Sequence, residues 1–344
     1  MNSCRFPLLA LLACAPALAQ PASPPVLPAS FDLHRPDIAA FIQEVTQRDG
    51  LKRKDVQRLL KEARPQPKII DIMNRPIEKV APWWEYREHF VNAERVTDGA
   101  QFWAEHRESL ERIAAAYEVP PEYVVAILGI ETRYGRVTGH YRVLDALATL
   151  AFDYPPRHNY FAGELAQFLV LVKESRLDPL KTTGSYAGAM GAPQFMPSAY
   201  RRYAVDASND QRRDLWGDWE DILASVANYL HQNGWKAGGP VLADTRIEPE
   251  ANFQLEPHGR GLELDATVDS LGAHGVKVDL DVPPETPALL VLAEQPDGPA
   301  YRVGFNNFYV LTRYNTSTRY AMAVHDLAQA IAQRVRAATA AAAP

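Results

Sequence analysis

The sequence predicts a mainly α (α+β) protein carrying a small β-rich insertion. Apolar residues recur at helical spacing over most of the first 232 positions. After Trp235 the texture changes to short apolar runs separated by Gly and Pro, and helical periodicity returns at Thr318. The 344 residues are 47% hydrophobic, enough for a substantial core and more than one domain. A net charge of −6 and a pI near 5.9 lack the basic footprint of a nucleic-acid-binding protein, so no nucleic-acid partner is expected.

Residues 1–19 read as an export signal: Arg5 closes a short charged start, Pro7 to Ala13 is apolar, and Ala17-Leu18-Ala19 is a small-x-small cleavage pattern. A periplasmic mature protein is expected. Leu11-Leu12-Ala13-Cys14 also resembles a lipoprotein processing box, which would anchor the chain to the outer membrane through Cys14. Both cysteines, Cys4 and Cys14, lie in this leader, so no disulfide framework follows it.

Residues 20–30, rich in Pro, Ala and Ser, read as a linker. Asp37 to Val45 places Ile38, Phe41, Ile42 and Val45 on one helical face; Asp55 to Ala63 repeats the pattern, and Ile69 to Met73 follows. Together they predict an N-terminal α-helical subdomain over 31–80. Ala100 to Glu118 is expected as one helix, and Pro121 starts the next, where its missing N–H costs nothing. Further helices are expected over Ala146 to Phe152 (with Asp145 as cap), Gly163 to Glu174, Asp221 to Gln232 and Thr318 to Arg336. Phe253 to Leu255, Val276 to Val278, Ala288 to Ala293 and Tyr301 to Thr312 read as strands, giving a β-rich domain over 235–305. The core domain then comprises 81–234 and 306–336, and the Ala-rich 337–344 reads as a disordered tail.

The helix from Pro121 raises the functional question. Apolar residues run from Tyr123 to Ile130 and end on Glu131. A carboxyl at an apolar helix end is costly to ionise, which suits a general acid. The plainer alternative is a surface pair with Arg133 or Arg136. A second stretch, Gly184 to Tyr200, combines small residues, Gln194 and aromatics, as a groove lining does where backbone approaches a ligand. Zinc-protease, serine-hydrolase elbow, P-loop and dinucleotide patterns do not occur in the sequence.

Glu131 to Gly135, Leu144 to Leu150, Phe152 to Pro155, Ser185 to Pro197, Ser225 to Tyr229 and Arg313-Tyr314-Asn315 resemble, in order and spacing, the family B lytic murein transglycosylases. The resemblance runs from about residue 31 to 336 and implies a lysozyme-like α core with a long cleft. It implies cleavage of the MurNAc–GlcNAc bond of peptidoglycan without water, giving 1,6-anhydroMurNAc ends, with Glu131 as sole acid and base. Ser185 and Gln194 would be polar contacts around it; Tyr86, Tyr160, Phe195, Tyr314 and Tyr320 would line the cleft. Arg157 would hold an acetyl, lactyl or peptide carboxylate group, although Pro156 replaces the second basic residue common in the family. Asn315 would hydrogen-bond near Glu131. The expected partners are glycan strands and cell-wall synthesis proteins, with the enzyme itself a monomer. Two rivals stand beside this reading: a hydrolytic muramidase, needing Asp145 or Asp153 as second carboxylate, and a non-catalytic peptidoglycan-binding protein.

The resemblance also implies a cation loop, with no cofactor needed for the chemistry. Asp206, Ser208, Asp210 and Asp214 occupy positions 1, 3, 5 and 9 of an EF-hand-like run, with Arg212 at the seventh. Gln211 stands where Gly is favoured and Gly217 where a carboxylate should close the loop; Asp218 or Asp221 substitutes if the loop is longer. Bound calcium would serve the fold only.

Overall fold

The computed structural model describes residues 30–75, 81–175, 177–253 and 262–342. The leader, Cys14, linker positions 20–29, part of the N-terminal subdomain (76–80) and the last two residues lie outside the described residues. Helices are α1 (Pro36–Arg48), α2 (Arg53–Glu62), α3 (Pro67–Met73), α4 (Trp83–Phe90), α5 (Ala93–Glu105), α6 (Arg107–Tyr117) and α7 (Pro121–Thr132). They continue as α8 (Val143–Asp153), α9 (His158–Ser175), α10 (Pro197–Tyr203), α11 (Trp219–Gln232), α12 (Val268–Ala273), α13 (Asn306–Tyr314) and α14 (Thr318–Ala342). Strands β1 (Tyr141–Arg142) and β2 (Thr183–Gly184) form a small antiparallel pair. A five-stranded antiparallel sheet takes the order β4 (Ala266–Thr267), β6 (Pro287–Leu292), β7 (Tyr301–Gly304), β3 (Leu242–Ile247) and β5 (Val276–Val278).

Helix α7 is the axis of the α core. Nine of its twelve residues are buried, so it is apolar all round and packs against α5, α6, α11 and α14. Helix α3 packs on α8, α1 packs on α2, and Phe31 and Phe41 meet Phe152 of α8 edge-on at 5.6 and 5.5 Å. Their residues join one continuous core with α7 and α8. The sheet keeps a separate small core around Leu271, Val276, Ala288, Leu290, Val303 and Phe305. Its edge strands, two and three residues long, offer little unpaired backbone.

Four expectations change. The helix expected over 100–118 is two helices that break at His106, whose ring packs 4.5 Å from Phe102 and 5.1 Å from Trp219; α5 begins earlier, at Ala93, capped by the Asn92 side chain. Of the strand expected over 301–312, only β7 forms, and the chain turns at Phe305 into α13, whose Phe308, Val310 and Leu311 are buried. Phe253 lies in no strand; it packs against Tyr301 at 5.1 Å. The tail expected as disordered from 337 continues α14 to Ala342, because alanine has the highest helix propensity. No single described helix is long and apolar enough to cross a membrane.

Candidate active site

Glu131 is the penultimate residue of α7, half-buried where the helix stops. The stop is built by Arg133, Tyr134 and Gly135, all at positive φ (49°, 60° and 80°). Two of these are not glycine, so surrounding contacts must hold them there. Tyr134 is buried and its Oη donates to Arg95 O at 2.7 Å. Buried Arg95 in turn donates from Nη1 to Gly129 O at 3.0 Å, placing a cation at the negative end of α7. Arg136, one of the two surface partners considered for Glu131, pairs with Asp98.

The opposite wall comes from the loop over 184–197. Thr132 Oγ1 donates to Ala192 O at 2.8 Å and accepts from Gly135 N at 3.0 Å, tying that loop to the residue after Glu131. The glycines have a different cause from the one expected. A Cβ on Gly184 would lie 2.1 Å from Ala189 O, and one on Gly191 (φ +68°) 2.3 Å from Leu215 O. Backbone therefore approaches backbone of the same protein, which requires glycine regardless of any ligand.

Three tyrosines gather beside Glu131. Tyr320, buried at the start of α14, donates from Oη to Glu131 Oε1 at 2.7 Å. Tyr314, at the end of α13, stacks on Tyr320 with centroids 6.4 Å apart and donates to Pro193 O at 2.6 Å. Burial, then the neighbouring Glu131 charge, raises both phenols well above their ordinary pKa of 10, so both remain protonated donors. Buried Tyr86 on α4 is close enough to Tyr320 to bear on its ionisation.

The other expected contact residues are held as follows. Ser185 Oγ accepts from Ala187 N and Ala189 N, and Gln194 Nε2 donates to Thr138 O and Gly191 O, bonds that brace the loop over 184–197 and tie it to the segment after α7. Asn315 Oδ1 accepts from Ser317 N at 3.1 Å and forms the turn between α13 and α14. Phe195 is buried and underlies the wall, 5.8 Å from Tyr314. Tyr160 is 42% exposed, with Arg157 stacked over its ring at 4.4 Å. Asp145 is not a helix cap: it sits inside the first turn of α8, accepting from Arg64 N at 2.9 Å and pairing with Arg142. Asp153 pairs with Arg35 at 2.6 Å. Both carboxylates thus fasten the N-terminal helices to α8.

The acidic loop also rearranges. Asp206, Asp210 and Asp221 bring carboxylate oxygens within 4.8 Å of one another. Asp221 is fully buried and accepts from Ala207 N, Ser208 N and Asp214 N. Asp214 instead accepts from Trp216 N and Gly217 N, and Asp218 caps α11, so neither joins the cluster. Gln211 adopts φ +68°, the left-handed turn for which Gly is favoured.

The sequence reading passed over Arg95, Thr132 and Glu294. Glu294 Oε1 accepts from Arg319 Nη2 at 3.2 Å, its Oε2 from Trp83 N at 3.2 Å, and its backbone O from Trp84 N. One residue after β6 thereby ties together the helices bearing Tyr86 and Tyr320. Only Arg95 left a sequence signal: it shares the apolar face of α5 with Gly99, Phe102 and Trp103.

With this geometry in hand, the profile of the transglycosylase SLT domain matches residues 34–329. The chain belongs to the SLT-domain transglycosylases. Within the family, it is 39% identical over 308 residues to membrane-bound lytic murein transglycosylase B of Escherichia coli, covering 87% of this chain and 83% of that one. Catenated lytic transglycosylase SltB1 of Pseudomonas aeruginosa superposes with a TM-score of 0.80 at 41% identity, covering 87% and 98% of the two chains. The E. coli lytic transglycosylase Slt35 in complex with calcium gives a TM-score of 0.78 at 38% identity, covering 89% and 96%. The expected mainly α, lysozyme-like lytic transglycosylase fold is therefore correct.

Proposed function

We propose that Glu131 carries out both proton transfers of a peptidoglycan lytic transglycosylase. Family membership and the relatives' names support the activity and the substrate, the glycan strands of peptidoglycan. In the first step the neutral carboxyl gives its proton to the oxygen between MurNAc and GlcNAc as the C1–O bond breaks. In the second, the carboxylate takes the proton of the muramyl C6 hydroxyl as that oxygen bonds to C1. The product is a 1,6-anhydroMurNAc end, no water is consumed, and the acid is returned neutral.

The observation that carries this reading is the 2.7 Å hydrogen bond from Tyr320 Oη to Glu131 Oε1. A phenol that stays protonated orients the carboxyl and stabilises its charge between the two steps. Hydrolysis on this fold would need a second carboxylate to direct water. Its two candidates, Asp145 and Asp153, are engaged in anchoring α1–α3, which favours the single-acid route. Mass spectrometry of murein digests tests the proposal: anhydromuramyl ends support it, and reducing muramyl ends would transfer the assignment to hydrolysis. A non-catalytic binder would release nothing.

The Slt35 complex supports extending a calcium site to the loop before α11. Asp206, Asp210 and Asp221 supply the hard oxygen donors calcium prefers, from two segments 11 positions apart in the chain. The ion would brace α10 against α11 and take no part in proton transfer. Export rests on the leader, and the membrane-bound name of the E. coli relative favours a lipid anchor at Cys14 as a second reading.

A further inference from the structure

Helix α4 begins without a cap of its own. Pro82 precedes it, and its side chain has no acceptor to give, so the N–H groups of the first turn need one from outside. Glu294, in the hairpin between β6 and β7, supplies it. Its Oε2 accepts from Trp83 N and its backbone O from Trp84 N, both at 3.2 Å, which places a carboxylate at the positive end of the helix. The same carboxylate accepts from Arg319 Nη2 at 3.2 Å, in the first turn of α14. Both partners adjoin the tyrosines beside Glu131. Arg319 immediately precedes Tyr320, and the Trp83 ring stacks on that of Tyr86 with centroids 6.4 Å apart.

A second carboxylate repeats the arrangement farther along α14. Asp326 accepts from Arg87 Nε of α4 and from Arg302 Nη1 of β7, each at 2.7 Å, and Arg302 Nε donates to Asp244 Oδ1 of β3 at 2.8 Å. The Asp326 and Arg302 side chains are 10% and 16% exposed, so solvent screens this pair little. The sheet that supplies both joints is itself fixed. Leu289 and Val291 of β6 join the core of the helices, while Ala288 and Leu290, on the opposite face, join the sheet's own. Helices α4 and α14 are thus joined twice through the sheet. In each helix the tyrosine lies between the two joints: Tyr86 between Trp84 and Arg87, Tyr320 between Arg319 and Asp326.

Resting on the proposed role of Glu131, we infer that Glu294 is a positioning residue of the reaction: from the sheet, it fixes the first turns of α4 and α14 so that Tyr320 Oη meets Glu131 Oε1. That bond is 2.7 Å long, and a displacement of α14 by about 1 Å would carry it beyond hydrogen-bond reach. Glu294 acts through Tyr320 and takes no part in proton transfer. The sheet thereby sets where the donor to the catalytic acid stands.

Kinetics on murein glycan strands test this in the full chain. Glu294→Ala is expected to lower kcat about fivefold or more with KM changed less than about twofold, since a displaced donor weakens catalysis without removing a substrate contact. Glu294→Gln, whose amide oxygen still accepts a bond, should recover part of the loss. The decisive variant combines Glu294→Ala with Tyr320→Phe. With the phenol gone its placement no longer matters, so the pair should stay within about twofold of Tyr320→Phe alone. Losses that multiply would overturn the inference by making Glu294 independent of Tyr320, as would an unchanged kcat in Glu294→Ala or a loss confined to KM. If Glu294→Ala folds poorly, Arg319→Gln releases α14 alone and leaves α4 capped. It should lose kcat in the same way and with the same lack of additivity, and an unchanged kcat there would overturn the inference. Reducing muramyl ends, or no product at all, from the wild-type enzyme would instead count against the transglycosylase reading. In that event a crystal structure of Glu294→Ala still decides the positioning: Tyr320 Oη out of reach of Glu131 supports it, and an unchanged 2.7 Å bond overturns it.

Discussion

Two acidic regions of this protein use the same functional group in opposite ways. At the end of α7, Glu131 receives a side-chain donor, Tyr320 Oη, at a half-buried position beside an aromatic wall. In the loop before α11, Asp221 is wholly buried and its oxygens accept from three backbone N–H groups. A carboxylate bonded by backbone donors from its own loop pins that loop. Glu131, at a helix end, is met by a phenol on a different helix, Tyr320 on α14. The partner, more than the burial, separates architecture from chemistry.

Breaking the contrast at its catalytic end gives the largest effect. Glu131→Gln preserves shape and removes the proton, so turnover of murein should fall about 10³-fold or more, with strand binding and melting temperature nearly unchanged. Retained turnover would show the acid to be elsewhere. At the structural end, Asp221→Ala leaves three backbone donors without their acceptor. It should cost about 3 kcal/mol or more, read as a melting temperature lower by several degrees, with kcat of the folded fraction preserved. A loss of kcat at full stability would merge the two regions into one site.

A third ionisable group sharpens the comparison through pH. His325 on α14 is half-buried and hydrogen-bonded to Tyr123 Oη, and desolvation pulls its pKa down from 6.5 to about 4. The unfolded chain binds the proton more readily, so stability is complete above about pH 6.5 and declines as pH falls toward 4. The limit of that loss is about 3 kcal/mol. His325→Gln should flatten this part of the stability profile; an unaltered slope between pH 6.5 and 4 would refute the assignment. Smaller again is the effect of Tyr320→Phe. It removes one charge-assisted hydrogen bond, so kcat should fall about tenfold while stability changes little. Smallest is calcium. Chelation should lower the melting temperature by a few degrees without changing kcat at 25 °C, and Asp206→Asn should abolish the response. An identical calcium response in that variant would place the ion elsewhere.

Several features of the fold were legible because they depend on local chemistry. Ile38, Phe41, Ile42 and Val45 mark a helical stripe wherever the helix packs, and Pro121 marks a helix start because its ring lacks an N–H. Val276 to Val278 reads as a strand from its residues alone. The break at His106 was not legible, because it depends on Trp219, more than a hundred residues away. Nor was the helix α13, whose apolar residues suit a strand equally well until the sheet ends at Gly304.

By itself, the sequence determined that an apolar helix ends on Glu131 and that small residues and aromatics recur around it, since residue type and spacing are local properties. Tertiary structure alone decided what each group faces. It bonded Ser185 and Gln194 to backbone of the loop over 184–197, put Asp221 rather than Asp218 in the acidic cluster, and fastened Asp145 and Asp153 to the N-terminal helices. It also joined α4 and α14 through Glu294. The reason is physical: a hydrogen bond forms within about 3 Å, and separations in space between residues a hundred or more positions apart are set by the packing of the whole core.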